Sequence, residues 1–201
     1  MMLKLPFQTW ELRLANPISV EKFQKLCAAN SDWRMELDSD GSVWVTPSHR
    51  LLAGYAISKI GAALHSYEQQ HNGQSFSPSL GFALPDGSVR SSDGSYISPE
   101  KFWVLTETDF NHFCRIVPDF VVEVRSKSDR LKKAKKKMVK TWIKNGVRLG
   151  WLIDVKNREI YIYRADGTIE RLLGFDRTVT GETVVPNFSF DFSELLPPQV
   201  R

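Results

Sequence analysis

Apolar residues recur along this chain in two rhythms, and their order predicts its elements. Residues 7–14 alternate as a short edge strand does. Ser19 stands where an N-cap would, before a helix to about Ala29 with Val20, Phe23, Leu26 and Cys27 facing inward. Residues 33–37 and 43–46 alternate around Asp38-Ser39-Asp40-Gly41, a hairpin signal. Leu52, Ala56, Ile60, Ala63 and Tyr67 mark one stripe of a long amphipathic helix over about 48–70, closed by Gly73. His49 and His65 on that helix read as surface or capping residues. Short β pieces at 80–84, 88–90 and 95–98 follow, broken by turns at Pro85-Asp86-Gly87 and Asp93-Gly94. One or two short helices fill 99–114.

The centre of the pattern is residues 117–146. Phe120-Val121-Val122-Glu123-Val124 reads as a buried strand, with a carboxylate in its middle. Burying an unpaired carboxylate costs several kcal/mol, so Glu123 needs a metal, a cation or a proton. A helix over 129–145 comes next, its buried stripe formed by Leu131, Ala134, Met138 and Trp142 and extended by Val139 and Ile143. Residues 149–155 and 159–164 form another strand pair, a hairpin turns at Ala165-Asp166-Gly167, and the tail holds a last strand and a turn of helix. This order predicts an α+β fold in which a mixed central sheet is flanked by helices.

Length changes the picture little: 201 residues suit one domain with a substantial core. Charge changes it more. Residues 125–148 hold eleven Lys and Arg against one acid, Asp129, whereas the rest of the chain carries sixteen basic and twenty-two acidic residues. The positive charge is therefore local, a patch for an anionic partner or a solvated helix face. Cys27 and Cys114 lack metal-ligand or redox spacing and fit packing thiols in a reduced cytoplasmic setting. No signal peptide or membrane-length apolar run is visible, and no small-molecule cofactor motif stands out.

Glu123 and Arg125 lie two apart on a strand and share a face, an acid beside a fixed cation. Asp119 shares that face but lies ~13 Å away along the strand, so a second metal ligand is expected from a neighbouring strand. Asp93, in Ser91-Ser92-Asp93-Gly94, is the candidate, although Asp-Gly is also an ordinary turn pair. Carboxylate ligands suit Mg²⁺ or Mn²⁺ and not zinc. On the helical wheel Lys135 is the lysine that projects between Trp142 and Val139, toward a buried acid or out to the edge.

VPDFVVEVRSKSDRL, the helix after it, NGVRLGWLIDVKNREIYIYR, and the upstream GFALPDGSVRSSDGSYI and RMELDSDG resemble the Uma-type restriction endonuclease family of the PD-(D/E)XK nuclease superfamily. The resemblance runs from about residue 33 to the C-terminus. It implies a single restriction-endonuclease-like domain, with residues 1–30 an N-terminal extension and 33–196 the nuclease-like core. It implies that Asp93 and Glu123 bind the metal, with Glu36 an optional third acid. The lysine of the (D/E)-x-K strand falls at Arg125, and arginine stays charged, so it can stabilise phosphate but cannot take a proton. The family pattern draws a lysine from the following helix and favours Lys137, whereas the wheel favours Lys135. Pro118-Asp119 sits on the strand of Glu123 and is expected to serve the strand start.

The expectation is a Mg²⁺- or Mn²⁺-dependent DNA endonuclease. Asp93, Glu123, Arg125 and Lys135 or Lys137 would be at the chemistry, and Lys127, Arg130, Lys132, Lys133, Lys136 and Lys140 on DNA phosphates. By resemblance, cutting a duplex implies a homodimer. The alternatives are an inactive nucleic-acid-binding module on a nuclease scaffold, and a protein whose basic helix meets an acidic partner.

Overall fold

The computed structural model describes residues 10–12, 17–46, 51–125 and 130–196, the first stretch by its backbone alone. The described residues open with β1 (Trp10–Leu12) and α1 (Val20–Ala28), then turn through β2 (Arg34–Leu37) and β3 (Val43–Thr46) into the long helix α2 (Leu51–His71). Short strands β4 (Gln74–Phe76), β5 (Phe82–Ala83), β6 (Val89–Arg90) and β7 (Gly94–Ile97) follow, then α3 (Pro99–Phe102) and a 3-10 turn at Glu107–Asn111. β8 (Phe120–Arg125) comes before α4 (Leu131–Lys137), which runs on through a π turn (Met138–Trp142) and a 3-10 turn (Ile143–Asn145). β9 (Leu149–Asp154), β10 (Glu159–Arg164), β11 (Ile169–Leu173), β12 (Thr178–Thr180), β13 (Ser189–Asp191) and a 3-10 turn (Phe192–Leu195) end the described chain. The expected strand at 7–14, the helix start at 48–50 with His49, and Lys127 lie partly or wholly outside the described residues.

The expected mixed central sheet is present, and a smaller sheet stands beside it. The larger has the order β11-β10-β9-β8-β7-β4, with β8 and β9 parallel and every other pairing antiparallel. The parallel pair is connected through α4, as a parallel crossover requires. Because β8 is covered on both faces, its apolar run is nearly continuous. Phe120, Val122 and Val124 pack toward α2 and the tail, while Val121 packs toward α4. Aromatic residues of the tail complete the first layer: Phe188 stacks on Trp151 with ring centroids 5.8 Å apart.

The smaller sheet, β1-β3-β2-β6-β5, is antiparallel and carries α1 through a core of Phe23, Leu37, Val43 and Val89. Ser19 caps α1, its Oγ accepting the Lys22 N–H at 3.3 Å. Between β6 and β7 the backbone leaves the smaller sheet and enters the larger one through Ser91-Ser92-Asp93.

Two expected stripes shift. α2 buries Ala53, Ala56, Ile60, Leu64 and Tyr67, leaving Leu52 40 % exposed and Ala63 half-buried. The rotation seats Leu64 over Gly94, where a Cβ would already lie 3.4 Å from Leu64 Cδ1. In α4, Met138 and Trp142 are fully buried and Leu131 and Ala134 half-buried, but Val139 is exposed where the wheel turned it inward. The reason is the π turn: Ile143 N–H bonds back to Met138 O as well as Val139 O, so the helix holds one residue more than an α-turn would. Met138 settles on Gly150 of β9, where an added Cβ would stand 2.4 Å from Met138 Cε. Gly146, at φ 105°, then ends the helix in the left-handed conformation. Cys27 and Cys114 are both free thiols, and among the described residues no helix is long and apolar enough to cross a membrane.

Candidate active site

The seam between the two sheets collects buried charge. The register Gly94↔Val122 continues so as to set Asp93 opposite Glu123 on the face toward α4, where directly opposed residues have Cβ atoms ~5 Å apart. The Asp93 N–H donates to Val122 O at 2.9 Å, and its Oδ2 accepts the Val124 N–H at 2.8 Å. Asp93 is therefore more than a turn former; it locks β8 to the chain entering β7. From the other side β2 contributes Arg34 and Glu36, two apart and on one face, and β6 contributes Arg90.

Lys137 occupies the middle. Its Nζ lies 2.8 Å from Glu123 Oε1 and 2.9 Å from Glu36 Oε1, and it donates to Ser91 O at 3.0 Å. An ammonium has three donors, and these three acceptors take all of them. Glu123 Oε1 also accepts the Trp142 indole N–H at 2.7 Å. Glu36 Oε2 accepts from Arg90 Nη1 at 3.2 Å and its Oε1 from the Ser91 N–H at 3.1 Å. Arg34 Nη2 lies 3.2 Å from Asp93 Oδ1, with 27 % of its side chain exposed.

These surroundings push two neighbouring acids apart. Burial raises the Glu36 pKa, but Lys137, Arg90 and the Ser91 N–H outweigh it and hold the carboxyl below its usual range. For Glu123 burial wins, helped by Asp93 and Glu36 against Lys137, and its pKa is pushed up to about 7. Burial also disfavours a charged Lys137, yet Glu123 and Glu36 raise its pKa, so the ammonium is a fixed positive charge and not a proton acceptor.

Not every expected residue joins this cluster. Lys135 points elsewhere: its Nζ sits 3.9 Å from the centroid of the Tyr161 ring. Arg125 shares the face of Glu123 as expected, but its Nη1 lies 2.6 Å from Oδ2 of the fully buried Asp154, directly opposite on β9. Asp154 accepts from Asn157 Nδ2 as well, at 2.8 Å. Asp119 lies at the far end of β8, where Oδ2 accepts the Ser98 N–H at 2.9 Å and its backbone carbonyl receives Arg148 and Leu149. Arg130, Lys132, Lys133, Lys136 and Lys140 are exposed, with Lys133 Nζ 3.9 Å over the Trp44 ring.

Sequence reasoning missed Arg34, Arg90, Asp154 and the Trp142 N–H. The two-residue rule that paired Glu123 with Arg125 also pairs Glu36 with Arg34, so that one was within reach. Asp154 was not, because nothing local says which strand will lie beside β8.

Asp93 at the entry to β7 and Glu123 on β8 supply hard oxygen donors; Asp93 Oδ1 and Oδ2 accept from Arg34 and the Val124 N–H, and among the described residues no hydrogen bond or ion pair reaches Glu123 Oε2. That donor set fits Mg²⁺ or Mn²⁺. Glu36 does not extend it: both its oxygens are engaged by cations, and among the described residues no group of three His, Cys, Asp or Glu is arranged to hold a metal.

A family model described as Uma2, putative restriction endonuclease, matches residues 20–193. Among solved structures, the chain is similar to a putative nuclease belonging to DUF820 from Anabaena variabilis, at 21% sequence identity and a TM-score of 0.74, covering 89% of this chain and 97% of that one. No curated protein matches the sequence.

Proposed function

Since the chain belongs to the Uma2 family of putative restriction endonucleases, we propose that it is a divalent-metal-dependent endonuclease that hydrolyses phosphodiester bonds in DNA. The observation that carries this reading is Asp93 opposite Glu123 at a seam with a lysine ammonium 2.8 Å from Glu123. Asp93 and Glu123 would hold the metal, which when bound lowers the pKa of a water and neutralises charge on the scissile phosphate.

The chain's own residues do the rest. Lys137 keeps Glu123 and Glu36 in place as a fixed charge. It contacts water or phosphate only by releasing one of its three acceptors. Arg34 is the better phosphate ligand, because its guanidinium is at the cluster and partly exposed. It takes the part first expected of Arg125, whose charge is directed at Asp154. Glu36 ties β2 to Lys137, and Arg90 of β6 holds the other oxygen of Glu36 in place. The exposed Arg130, Lys132, Lys136 and Lys140 contact phosphates without reading bases, and a second copy of the chain serves the opposite strand.

The test is nicking of supercoiled plasmid in Mg²⁺ or Mn²⁺ by the native protein and by Asp93→Ala, Glu123→Ala and Arg34→Ala. The native protein is expected to nick and to stop when a chelator is added. The two acid variants should lose activity by about 10²-fold or more, and the Arg34 variant should lose about 10- to 10²-fold. Nicking that survives both acid changes would sink the assignment of the site. Metal-independent, salt-sensitive DNA binding without any nicking would favour the inactive binding module. Light scattering of the native protein tests the second copy.

A further inference from the structure

We propose that Trp142 is a positioning residue for the metal-binding carboxylate, orienting Glu123 so that one oxygen is held by the protein and the other is presented to the cation. This inference rests on the nuclease reading of the site and names a group that the reading does not need.

Trp142 is fully buried, and a buried indole N–H normally finds an acceptor. Here the acceptor is Glu123 Oε1, 2.7 Å away, the same atom that Lys137 Nζ approaches to 2.8 Å. Two donors thus converge on one carboxylate oxygen, while among the described residues nothing bonds Oε2. A carboxylate pinned at one oxygen cannot rotate freely, and its remaining oxygen has a defined direction.

The helix is built to allow this. In a regular α-helix residues five apart point roughly 140° from each other, at about 100° per residue. Lys137 and Trp142 are five apart, and on an unbroken helix they would diverge onto different faces. The π turn over Met138–Trp142 takes up the extra residue and brings both onto one face. The indole edge is fixed in turn by Phe82, whose ring stands 6.2 Å from Trp142 at 83°. Single-residue π turns recur at functional sites, and this one does a definable job there.

Trp142→Phe removes the indole N–H while keeping an aromatic, though smaller, ring at this fully buried position. Mn²⁺ binding without DNA, followed through the electron paramagnetic resonance of free Mn²⁺, is compared for the native protein, Trp142→Phe and Glu123→Gln. Nicking is measured in parallel against Mn²⁺ concentration. The expected result is that Trp142→Phe binds plasmid as the native protein does but binds Mn²⁺ about five- to tenfold more weakly, since Lys137 still holds Oε1. Its nicking rate should recover at high Mn²⁺, a shift in half-saturation and not in maximal rate. Native-like Mn²⁺ affinity in Trp142→Phe overturns the inference and leaves the nuclease reading intact. A native protein that binds no Mn²⁺ overturns both. If Trp142→Phe melts far below the native protein, ¹⁵N-indole labelling of the native protein decides. The indole resonance that Glu123→Gln displaces must move on Mg²⁺ titration, and an unmoved signal counts against the inference.

Discussion

Lys137 satisfies Glu123, Glu36 and the Ser91 carbonyl with its three donors, and each of those acceptors is buried or nearly so. Removing one member of such a group strands the others. Lys137→Met is therefore expected to cost about 3 kcal/mol of unfolding free energy. The double variant Lys137→Met/Glu36→Gln should cost less than the sum of the two single changes, with a coupling of about 1–3 kcal/mol. Urea denaturation of the four proteins of this cycle measures it, and strict additivity would show that the ammonium and Glu36 do not depend on one another. Arg125 makes the complementary case. Its bond to the fully buried Asp154 predicts that Arg125→Ala loses about 2–3 kcal/mol of stability. At a temperature where the variant is folded, its nicking rate should stay within about threefold of native. A much larger fall in rate would return Arg125 to the chemistry.

The elements were legible in proportion to how locally they are determined. β8, β9 and β10 announce themselves by β-branched and aromatic runs, and α1 by its serine cap and its periodic Phe23. β4 was missed because three half-buried residues carry no alternation to speak of. It is held instead by Glu68, whose Oε2 accepts from Gln74 Nε2 and the Ser75 N–H. The wheel of α4 went wrong at Val139 for another reason: it assumes a constant angle per residue, and a π turn breaks that assumption in the middle of the helix. Hence the choice between Lys135 and Lys137 stayed open in the sequence, although Asp93, Glu123, Glu36 and Lys137 were all named from it and the fold brings them together. A deletion tests this account of the helix. Without Val139 the π turn should close into an ordinary α-turn, leaving Lys137 and Trp142 four apart and still on one face. The deletion variant is expected to fold and to retain nicking within about tenfold, as judged by circular dichroism and the plasmid assay. Insertion of an alanine at the same place should abolish activity. Equal tolerance of both changes would show that the register of this helix does not matter.

At the scale of the whole molecule, charge is divided by surface. Arg130, Lys132, Lys133, Lys136 and Lys140 stand exposed on and beside α4, whereas the cations of the site are directed at its carboxylates. DNA binding and metal chemistry should therefore separate. Changing Lys132, Lys136 and Lys140 together to alanine should lower the steepness of log K against log salt by about one for each phosphate that the helix no longer neutralises. Mn²⁺ affinity should not change. Fluorescence anisotropy of a labelled duplex across a salt series measures the first quantity, and an unaltered slope would remove this helix from the DNA interface.

The passage of the backbone from the smaller sheet to the larger one through Ser91-Ser92-Asp93 has a mechanical consequence. The smaller sheet sends Arg34 to Asp93 and Glu36 to Lys137 across the seam, while its own apolar core of Phe23, Leu37, Val43 and Val89 is small beside the two layers that clasp β8 and β9. Parts of a protein with less buried apolar surface open at lower free energy. The smaller sheet then behaves as a fuse. On warming it is expected to let go first, pulling Glu36 off Lys137 and disarming the site, so nicking should fail at a lower temperature than the loss of the far-ultraviolet circular dichroism signal.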